Sequence, residues 1–238
     1  MNILIVNDDS IHAPGIAVLA KAAAEIGDVW VVAPSDQCSC MSQKVTFGPK
    51  LTAKKVVDFP APVKAAWEVD GTPVDCVKVA ILNLLQFKPD LVLSGINNGY
   101  NAGYDIAYSG TLGATFEALR NGIPAIAFSI SSQTQLPAVD EWLLPILREL
   151  AQKQIEEGMV WNVNFPPVKN SPPLGILWDR IPARAPMYYD CYDEEIQPDG
   201  SILLSCRGIP VKDEDLAPGS DGEALRKGYI SIGKVRAF

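Results

Sequence analysis

Residues 3–10 read ILIVNDDS, a short apolar run that ends in two adjacent aspartates. The length of the run and its β-branched residues predict a strand that is buried on both faces of a sheet. Asp8 and Asp9 come just past its end, where two like charges beside a buried strand are costly unless something neutralises them. We therefore expect a neutralising group next to these carboxylates.

Apolar strands alternate with helical patterns through the first two thirds of the chain. Pro14 and Thr72-Pro73 are typical helix starts, because proline suits the first helical position and threonine caps a helix. The alternation predicts an α/β fold with a doubly wound, mostly parallel sheet. Buried strands are predicted at residues 2–6, 29–33, 90–93 and 124–129, and helices at 15–27, 73–87, 109–122 and 140–157.

Two parts of the chain depart from this alternation. Residues 44–69 predict a β-hairpin. From about residue 166 paired prolines and acidic turns replace clear periodicity, and SILLSC (201–206) and YISIG (229–233) predict strands of a hairpin or arm. We therefore divide the chain into a core, 1–165, with the hairpin as an insertion, and a C-terminal extension, 166–238.

The composition limits the classes of partner. A net charge of −8 and a pI near 4.7 argue against nucleic acid or an anionic membrane as the main partner. The sequence has no run of the ~20 apolar residues that a membrane span needs, and no signal-peptide pattern at its start. The five cysteines are irregularly spaced and form no disulfide framework, so we expect a cytoplasmic protein.

Small oxygen-bearing side chains follow the predicted strands, at the edge where open α/β sheets bind ligands. Such oxygens suit a hard divalent cation such as Mg²⁺ or Mn²⁺, whereas zinc would recruit His or Cys, and the chain has one histidine, His12. A metal ion is therefore the predicted neutralising group, the alternative being one capping and one solvated aspartate. The oxygen-bearing residues are Asn7, Asp8, Asp9, Ser10, Ser35, Ser39, Ser42, Ser94, Asn97, Asn98 and Asn101.

Ser109-Gly110-Thr111 stands at a predicted helix start, where free amides and the helix dipole attract anions. Alone, this tripeptide is more typical of a plain N-cap. Next to a cation site on the same sheet edge, it indicates a phosphate ester held on a metal. The chain lacks the GxxxxGK[ST] and GxGxxG patterns, so nucleoside triphosphatase and dinucleotide-binding classes have no support.

Seven segments, in order along nearly the whole chain, form a recognisable set. They are NDDSIHAPGI (7–16), AP…S (33–39), GTPVDCV (71–77), SGINNGYNAG (94–103), YSGTLGATFEA (108–118), NVNFP (162–166) and SDGEALRKGYISI (220–232). The set resembles the SurE family of metal-dependent 5′/3′-nucleotidases.

The resemblance implies a Rossmann-like, three-layer core and a swapped C-terminal arm that reaches across to another subunit in a homodimer or homotetramer. It also implies a 5′-nucleotidase that hydrolyses nucleoside 5′- and 3′-monophosphates and, in some members, short-chain polyphosphate. By position, the family's ligands for one divalent cation (Mg²⁺ or Mn²⁺) per subunit fall on Asp8, Asp9, Ser39 and Asn97. The residues that would face the phosphate are Asn101, Ser109, Gly110 and Thr111.

The chain departs from the family pattern at two loop positions and at its end. Ser10 and Cys40 stand where the family often has glycine, and ISIGKVRAF replaces the usual SITPL. If position 40 requires a positive φ, its Cβ would strain the loop by about a kcal/mol or more.

The simplest mechanism is direct attack on the phosphoryl group by a metal-activated water, because no Ser-His-Asp set is visible in the sequence. Either Asp8 or Asp9 would then orient or deprotonate that water, as well as holding the metal. Asn101 and the helix start at Ser109–Thr111 would stabilise the charge on the phosphoryl group.

Two other functional classes stay open at this point. ILIVNDDS also resembles the start of a response-regulator receiver domain, with Asp58 as its phospho-acceptor, although Asp58 lies in the predicted hairpin and PAIAFSISS (124–132) lacks the expected lysine. The other class is a nucleotide-binding module without turnover. Two roles are open for Tyr100, Tyr104 and Tyr108: packing or subunit contact, which is the favoured one, and stacking on a nucleobase.

Overall fold

The computed structural model describes residues 1–132, 135–136, 139–167 and 172–237. Its strands are β1 (Asn2–Val6), β2 (Asp28–Pro34), β3 (Ala53–Val56), β4 (Ala65–Val69), β5 (Leu91–Asn98), β6 (Ala125–Ile130), β7 (Met159–Phe165), β8 (Ile176–Arg180), β9 (Tyr188–Ile196), β10 (Ile202–Pro210) and β11 (Ile230–Arg236). Its α-helices are α1 (Pro14–Ala24), α2 (Pro73–Val79), α3 (Gly110–Arg120), α4 (Asp140–Gln152) and α5 (Asp221–Arg226).

A nine-stranded sheet forms the centre of the molecule, in the order β3-β4-β2-β1-β5-β6-β7-β11-β8. The six strands from β4 to β7 run parallel to their neighbours, β3 pairs antiparallel with β4, and β11 pairs antiparallel with β7. The order reverses between β1 and β5, as in a doubly wound sheet. The predicted mostly parallel α/β fold is confirmed.

β1 is buried because helices cover both faces of the sheet. Ile3 and Ile5 face the hydrophobic cluster that includes α1 and α4, whereas Leu4 and Val6 face the cluster that includes α2 and α3. All four side chains are fully buried. Each such side chain stabilises the fold by roughly 1.5–3 kcal/mol relative to exposure, which places β1 at the middle of a three-layer core.

The helices begin where the sequence predicts. Pro14 occupies the first turn of α1, and Thr72 caps α2 in a reciprocal pair of bonds with Asp75. All four helices end earlier than predicted: α1 at Ala24, α3 at Arg120 and α4 at Gln152, while α2 ends at Val79 and passes into a π-helical turn over Ala80–Leu84. Apolar periodicity therefore located these helices better than it located their ends.

The hairpin and the C-terminal segment are more closely joined to the sheet than the sequence suggests. β3 and β4 form the predicted hairpin, but β4 also pairs parallel with β2 and extends the main sheet. The YISIG segment is not part of an arm, because β11 lies in the sheet between β7 and β8. SILLSC does lie in a separate antiparallel pair, β9–β10. The division into 1–165 and 166–238 stays a prediction, although the sheet draws strands from both.

Candidate active site

The carboxyl ends of three adjacent strands, β2, β1 and β5, meet at one edge of the sheet. Asn7, Asp8 and Asp9 follow β1, the loop with Ser39 follows β2, and Asn97 and Asn98 are the last residues of β5. β5 is five residues longer than DLVL predicts at its carboxyl end, since it ends at Asn98 instead of Leu93. Asn97 is therefore held by sheet pairing with Ser129 rather than by a loop.

Asp8 is buried and is held by the start of α3. The Thr111 hydroxyl donates to Asp8 Oδ1 at 2.8 Å, and the Thr111 amide donates to Oδ2 at 3.2 Å. Burial raises the pKa of Asp8 to about 6; the charge on Asp9 adds to this, and the hydrogen bonds from Thr111 oppose it. The glycine at position 110 leaves room for this carboxylate, because a Cβ there would lie 3.0 Å from Asp8 Oδ2 and Asp8 would have to shift to accept it.

Asp9 is tied to the end of β5. Its Oδ2 accepts the amide of Asn98 at 2.8 Å, and Gln37 Nε2 lies 3.5 Å from its Oδ1. Asp9 is less buried than Asp8, so one carboxylate is fixed inside the fold and the other borders solvent.

Hydrogen bonds hold the loop after β2 against two segments, the one that follows β1 and the one that precedes α3. The Cys38 amide donates to the Asp8 carbonyl at 2.7 Å, and Ser42 donates to the carbonyls of Ala107 and Tyr108. Between them, Cys40 adopts φ 58°. The condition for strain at position 40 is therefore met, and Ser10, the other departure from the family glycines, also has a positive φ, 85°.

Three of the four predicted metal ligands, Asp8, Ser39 and Asn97, line one cavity of about 810 Å³. Asp9 lines an adjoining cavity of about 820 Å³, and Asn98 borders both. The Asn97 side chain donates its Nδ2 to the Gly99 carbonyl at 2.9 Å, which leaves Oδ1 as the amide atom for a cation.

The predicted phosphate residues lie in or beside the same cavity. Asn101 and Ser109 line it. Asn101 is held on three sides, because its Nδ2 donates to Ser129, its amide donates to Asn164, and its carbonyl accepts from Asn162. Sequence reasoning missed these two β7 asparagines, although two polar residues in a strand that is otherwise apolar are a usable signal.

The start of α3 differs from a free anion site. The Ser109 side chain caps the helix by accepting the Leu112 amide at 3.0 Å. The Thr111 amide and hydroxyl are both occupied by Asp8. Thr111 therefore positions a carboxylate, a role the sequence did not reveal, and its contact with a phosphate stays a prediction.

The donor set fits a hard cation. Two adjacent carboxylates, one of them buried, need a neutralising partner, and the side chains around them offer oxygen. In the part of the chain that the structure describes, no group of three or more His, Cys, Asp or Glu side chains could hold a metal. The predicted ligand set has only two carboxylates, beside a serine and an asparagine, and so would not form such a group.

Asp58, which a receiver domain would use as its phospho-acceptor, does not lie at this site. Asp58 is exposed and follows β3, an antiparallel strand at the sheet edge, rather than the carboxyl end of a parallel strand. His12 is exposed, with Nε2 3.6 Å from Glu68. The receiver interpretation is therefore not favoured.

Fold and site together define a Rossmann-like α/β protein with an acidic, oxygen-lined site at the carboxyl edge of its sheet. Residues 3–186 match the family model described as "Survival protein SurE". The chain belongs to the SurE family.

Similar proteins cover nearly the whole chain. The 5′-nucleotidase SurE of Synechococcus sp. (strain JA-3-3Ab) is 39% identical over 237 residues, which is 98% of this chain and 90% of the relative. That of Desulforamulus reducens is 38% identical over 98% of this chain and 91% of the relative. The crystal structure of the SurE protein from Aquifex aeolicus matches with a TM-score of 0.84 and 32% identity, covering 100% of this chain and 94% of that one.

Proposed function

We propose that this chain is a metal-dependent 5′-nucleotidase that hydrolyses nucleoside 5′- and 3′-monophosphates to nucleoside and phosphate. The observation that carries the proposal is the buried Asp8, held by Thr111 in one cavity with Ser39, Asn97 and Asn101. The relatives named 5′-nucleotidase SurE support it, as they share the fold and nearly the full length.

Dependence on a divalent metal is general in the SurE family. One Mg²⁺ or Mn²⁺ is proposed to bind the oxygens of Asp8, Asp9, Ser39 and Asn97. When bound, such a cation neutralises the ester oxygens and lowers the pKa of water. Because the ligands come from three adjacent strand ends, the sheet itself sets their spacing.

The two aspartates have different proposed roles. Both oxygens of Asp8 accept bonds from Thr111, so Asp8 is an oriented ligand with little freedom to move. Asp9 is more accessible, and its Oδ1 has only a long contact with Gln37. We therefore propose that Asp9 is the base that accepts the proton of the attacking water.

The phosphate is proposed to bind between Asn101 and the first amide of α3. The amides of Thr111, Leu112 and Gly113 already have partners in the described structure, so the Gly110 amide is the one available to an anion. Ser109 lines the cavity at this point and fixes the direction of that amide through its cap.

We also propose that the chain assembles as a homodimer or homotetramer through β9–β10, which we call the arm. Within the residues that the structure describes, the arm strands pair with each other and with no other strand, and much of their apolar surface is exposed, including Ile196, Leu203 and Leu204. A second copy of the chain is the proposed occupant of that surface, to be tested by light scattering coupled to size-exclusion chromatography.

A cytoplasmic location is proposed because a reducing compartment suits five free cysteines. Among the described residues, no helix has the length and apolar character to cross a membrane.

The direct test measures phosphate release from AMP, GMP, 3′-AMP and tripolyphosphate, each with EDTA, Mg²⁺, Mn²⁺ or Zn²⁺. Release that requires Mg²⁺ or Mn²⁺ is expected, and Asp9→Asn should reduce turnover roughly a hundredfold or more while the protein stays folded. Asp58→Asn is the matched control, since Asp58 is exposed and outside the cavity. Near-normal turnover by Asp9→Asn at saturating Mn²⁺ would overturn the assignment. Tight AMP binding without release under any condition would favour a binding module.

A further inference from the structure

Six of the chain's seven tyrosines line the cavity that contains Asp8, Ser39 and Asn97. Tyr100, Tyr104 and Tyr108 come from the segment after β5, as the sequence suggests. Tyr188, Tyr189 and Tyr192 come from β9, at least eighty positions later in the chain. The aromatic residues thus line the same cavity as the candidate metal ligands Asp8, Ser39 and Asn97.

The two groups of tyrosines are fixed relative to each other by two carboxylates, the half-buried Asp105 and the buried Asp221. Asp105, in the 3₁₀ turn Gly103–Tyr108, accepts the amide of Met187 at 2.9 Å, one residue before β9. Asp221 accepts the amides of Gly103 at 3.0 Å and Ala183 at 2.8 Å. The turn and the start of β9 are therefore joined as one wall.

Exposure separates these tyrosines from ordinary core residues. Tyr104, Tyr108, Tyr189 and Tyr192 are 49–63% exposed, so their rings are open to the cavity instead of packed inside the fold. Tyr100 is the more buried one, and burial raises its pKa to about 12, so this phenol is neutral at physiological pH. A wall of aromatic faces offers stacking area to a flat heterocycle.

We propose that these tyrosines form a nucleobase subsite in which rings from the 3₁₀ turn and from β9 stack on the base of the substrate. The inference rests on the proposed nucleotidase function and names what that site recognises. Stacking is tolerant of base identity, because every base has a π-face. The site should therefore accept adenine and guanine alike and favour purines over pyrimidines, which offer less ring area.

The test compares AMP with ribose 5-phosphate, which carries the same kind of ester without a base. Tyr104→Ala and Tyr189→Ala should each reduce the ratio of kcat/KM for AMP to that for ribose 5-phosphate by roughly 5- to 50-fold. The loss should appear mainly in the KM for AMP. Tyr104→Phe and Tyr189→Phe, which keep the ring, should restore the ratio to within about twofold of the unmodified chain.

Phe47→Ala is the control, because Phe47 is 96% exposed and does not line the cavity. An equal loss with both substrates, or a change of oligomeric state without a change in the ratio, would assign the tyrosines to packing or subunit contact and overturn the subsite. Failure of the proposed function gives a different result, since the unmodified chain would then release phosphate from neither substrate. In that case calorimetric titration with adenosine decides, with weaker binding by the alanine variants supporting the subsite and unchanged binding overturning it.

Discussion

The strand-end loops of the site and the arm are anchored in opposite ways. In the loops, carboxylates make hydrogen bonds to residues far along the chain, as Asp8 does to Thr111 and Asp9 to Asn98. In the arm, β9 and β10 bond to each other over nine register pairs, and β10 is exposed along its whole length. One region is fixed by long-range polar contacts and the other by local pairing.

The difference teaches what each kind of anchor achieves. A buried carboxylate is costly without partners, so a fold that keeps one must satisfy it, and its position is then narrowly defined. That suits a site in which the spacing of ligands determines activity. A two-stranded hairpin is marginally stable alone, so the arm beyond its start, which the bond from Met187 to Asp105 holds, is free to adapt to another surface and needs one for full protection.

Hydrogen exchange should give the largest contrast between the two regions. Amides of β1 and β5 exchange by near-global unfolding, whereas the arm of an isolated protomer opens locally, so arm amides should exchange at least roughly a thousandfold faster. The antiparallel pair β7–β11 is the matched reference, because it has the same pairing geometry inside the sheet. In an oligomer, arm protection should rise with protein concentration while that of β1 stays constant. Equal protection of arm and β1 at every concentration would contradict the comparison.

Asp75→Ala should break an anchor on the site side, with a loss of roughly 2–4 kcal/mol in the free energy of unfolding at pH 7. Asp75 accepts the amide and hydroxyl of Thr46 and completes the cap of α2 with Thr72. Asp58→Ala, at an exposed aspartate, should change the stability by less than about 0.5 kcal/mol.

The stability lost in Asp75→Ala should depend on pH. Burial alone would raise the pKa of Asp75, but the hydrogen bonds from Thr46 and Thr72 outweigh it and lower the pKa below its usual 3.8. The folded state therefore binds the proton more weakly than the unfolded state, so this stabilisation is present above pH 3.8 and is lost as the pH falls through the lowered pKa. Denaturant titrations should show the deficit of Asp75→Ala shrinking below pH 3.8. A deficit that grows on acidification would refute the sign.

Thr111→Val tests whether the anchor of Asp8 matters for activity. Valine keeps the shape but removes the hydroxyl that donates to Oδ1, so kcat/KM for AMP should fall roughly 10- to 100-fold, or the metal affinity by a similar factor. Thr111→Ser keeps the hydroxyl and should retain most activity. Unchanged kinetics in the valine variant, measured across a Mn²⁺ titration, would show that Asp8 needs no support from α3.

Local patterns predicted much of this architecture. The apolar run before Asp8, the proline at the start of α1 and the Ser109 cap each depend on a few neighbouring residues, and all three are found in the structure. The position of Asp8 at a strand end followed from the same run. What depends on local periodicity was therefore accessible from the sequence.

Long-range pairings were not accessible in this way. Nothing local indicates that β11 inserts between β7 and β8, or that Tyr189 in the arm faces a cavity built by β1 and β5. The bond from Thr111 to Asp8 joins residues 103 positions apart. The motif alone suggested a bound phosphate at Thr111 rather than a carboxylate of the chain itself. Such contacts are set by how the layers pack, which one sequence without its fold does not reveal.

Cys40→Gly is expected to have the smallest effect. It tests whether the loop after β2, which belongs to the site, contains backbone strain at position 40. Cys40 adopts φ 58°, a left-handed conformation that a Cβ disfavours, so glycine should raise the free energy of unfolding by about 0.5–1 kcal/mol. Part of the gain is offset because glycine also makes the unfolded chain more flexible. Cys40→Ala separates strain from thiol chemistry, since it removes the thiol but keeps the Cβ, and it should give no gain. Equal stabilisation by alanine and glycine in denaturant titrations would locate the cost in the thiol, and the positive φ would then carry no measurable strain.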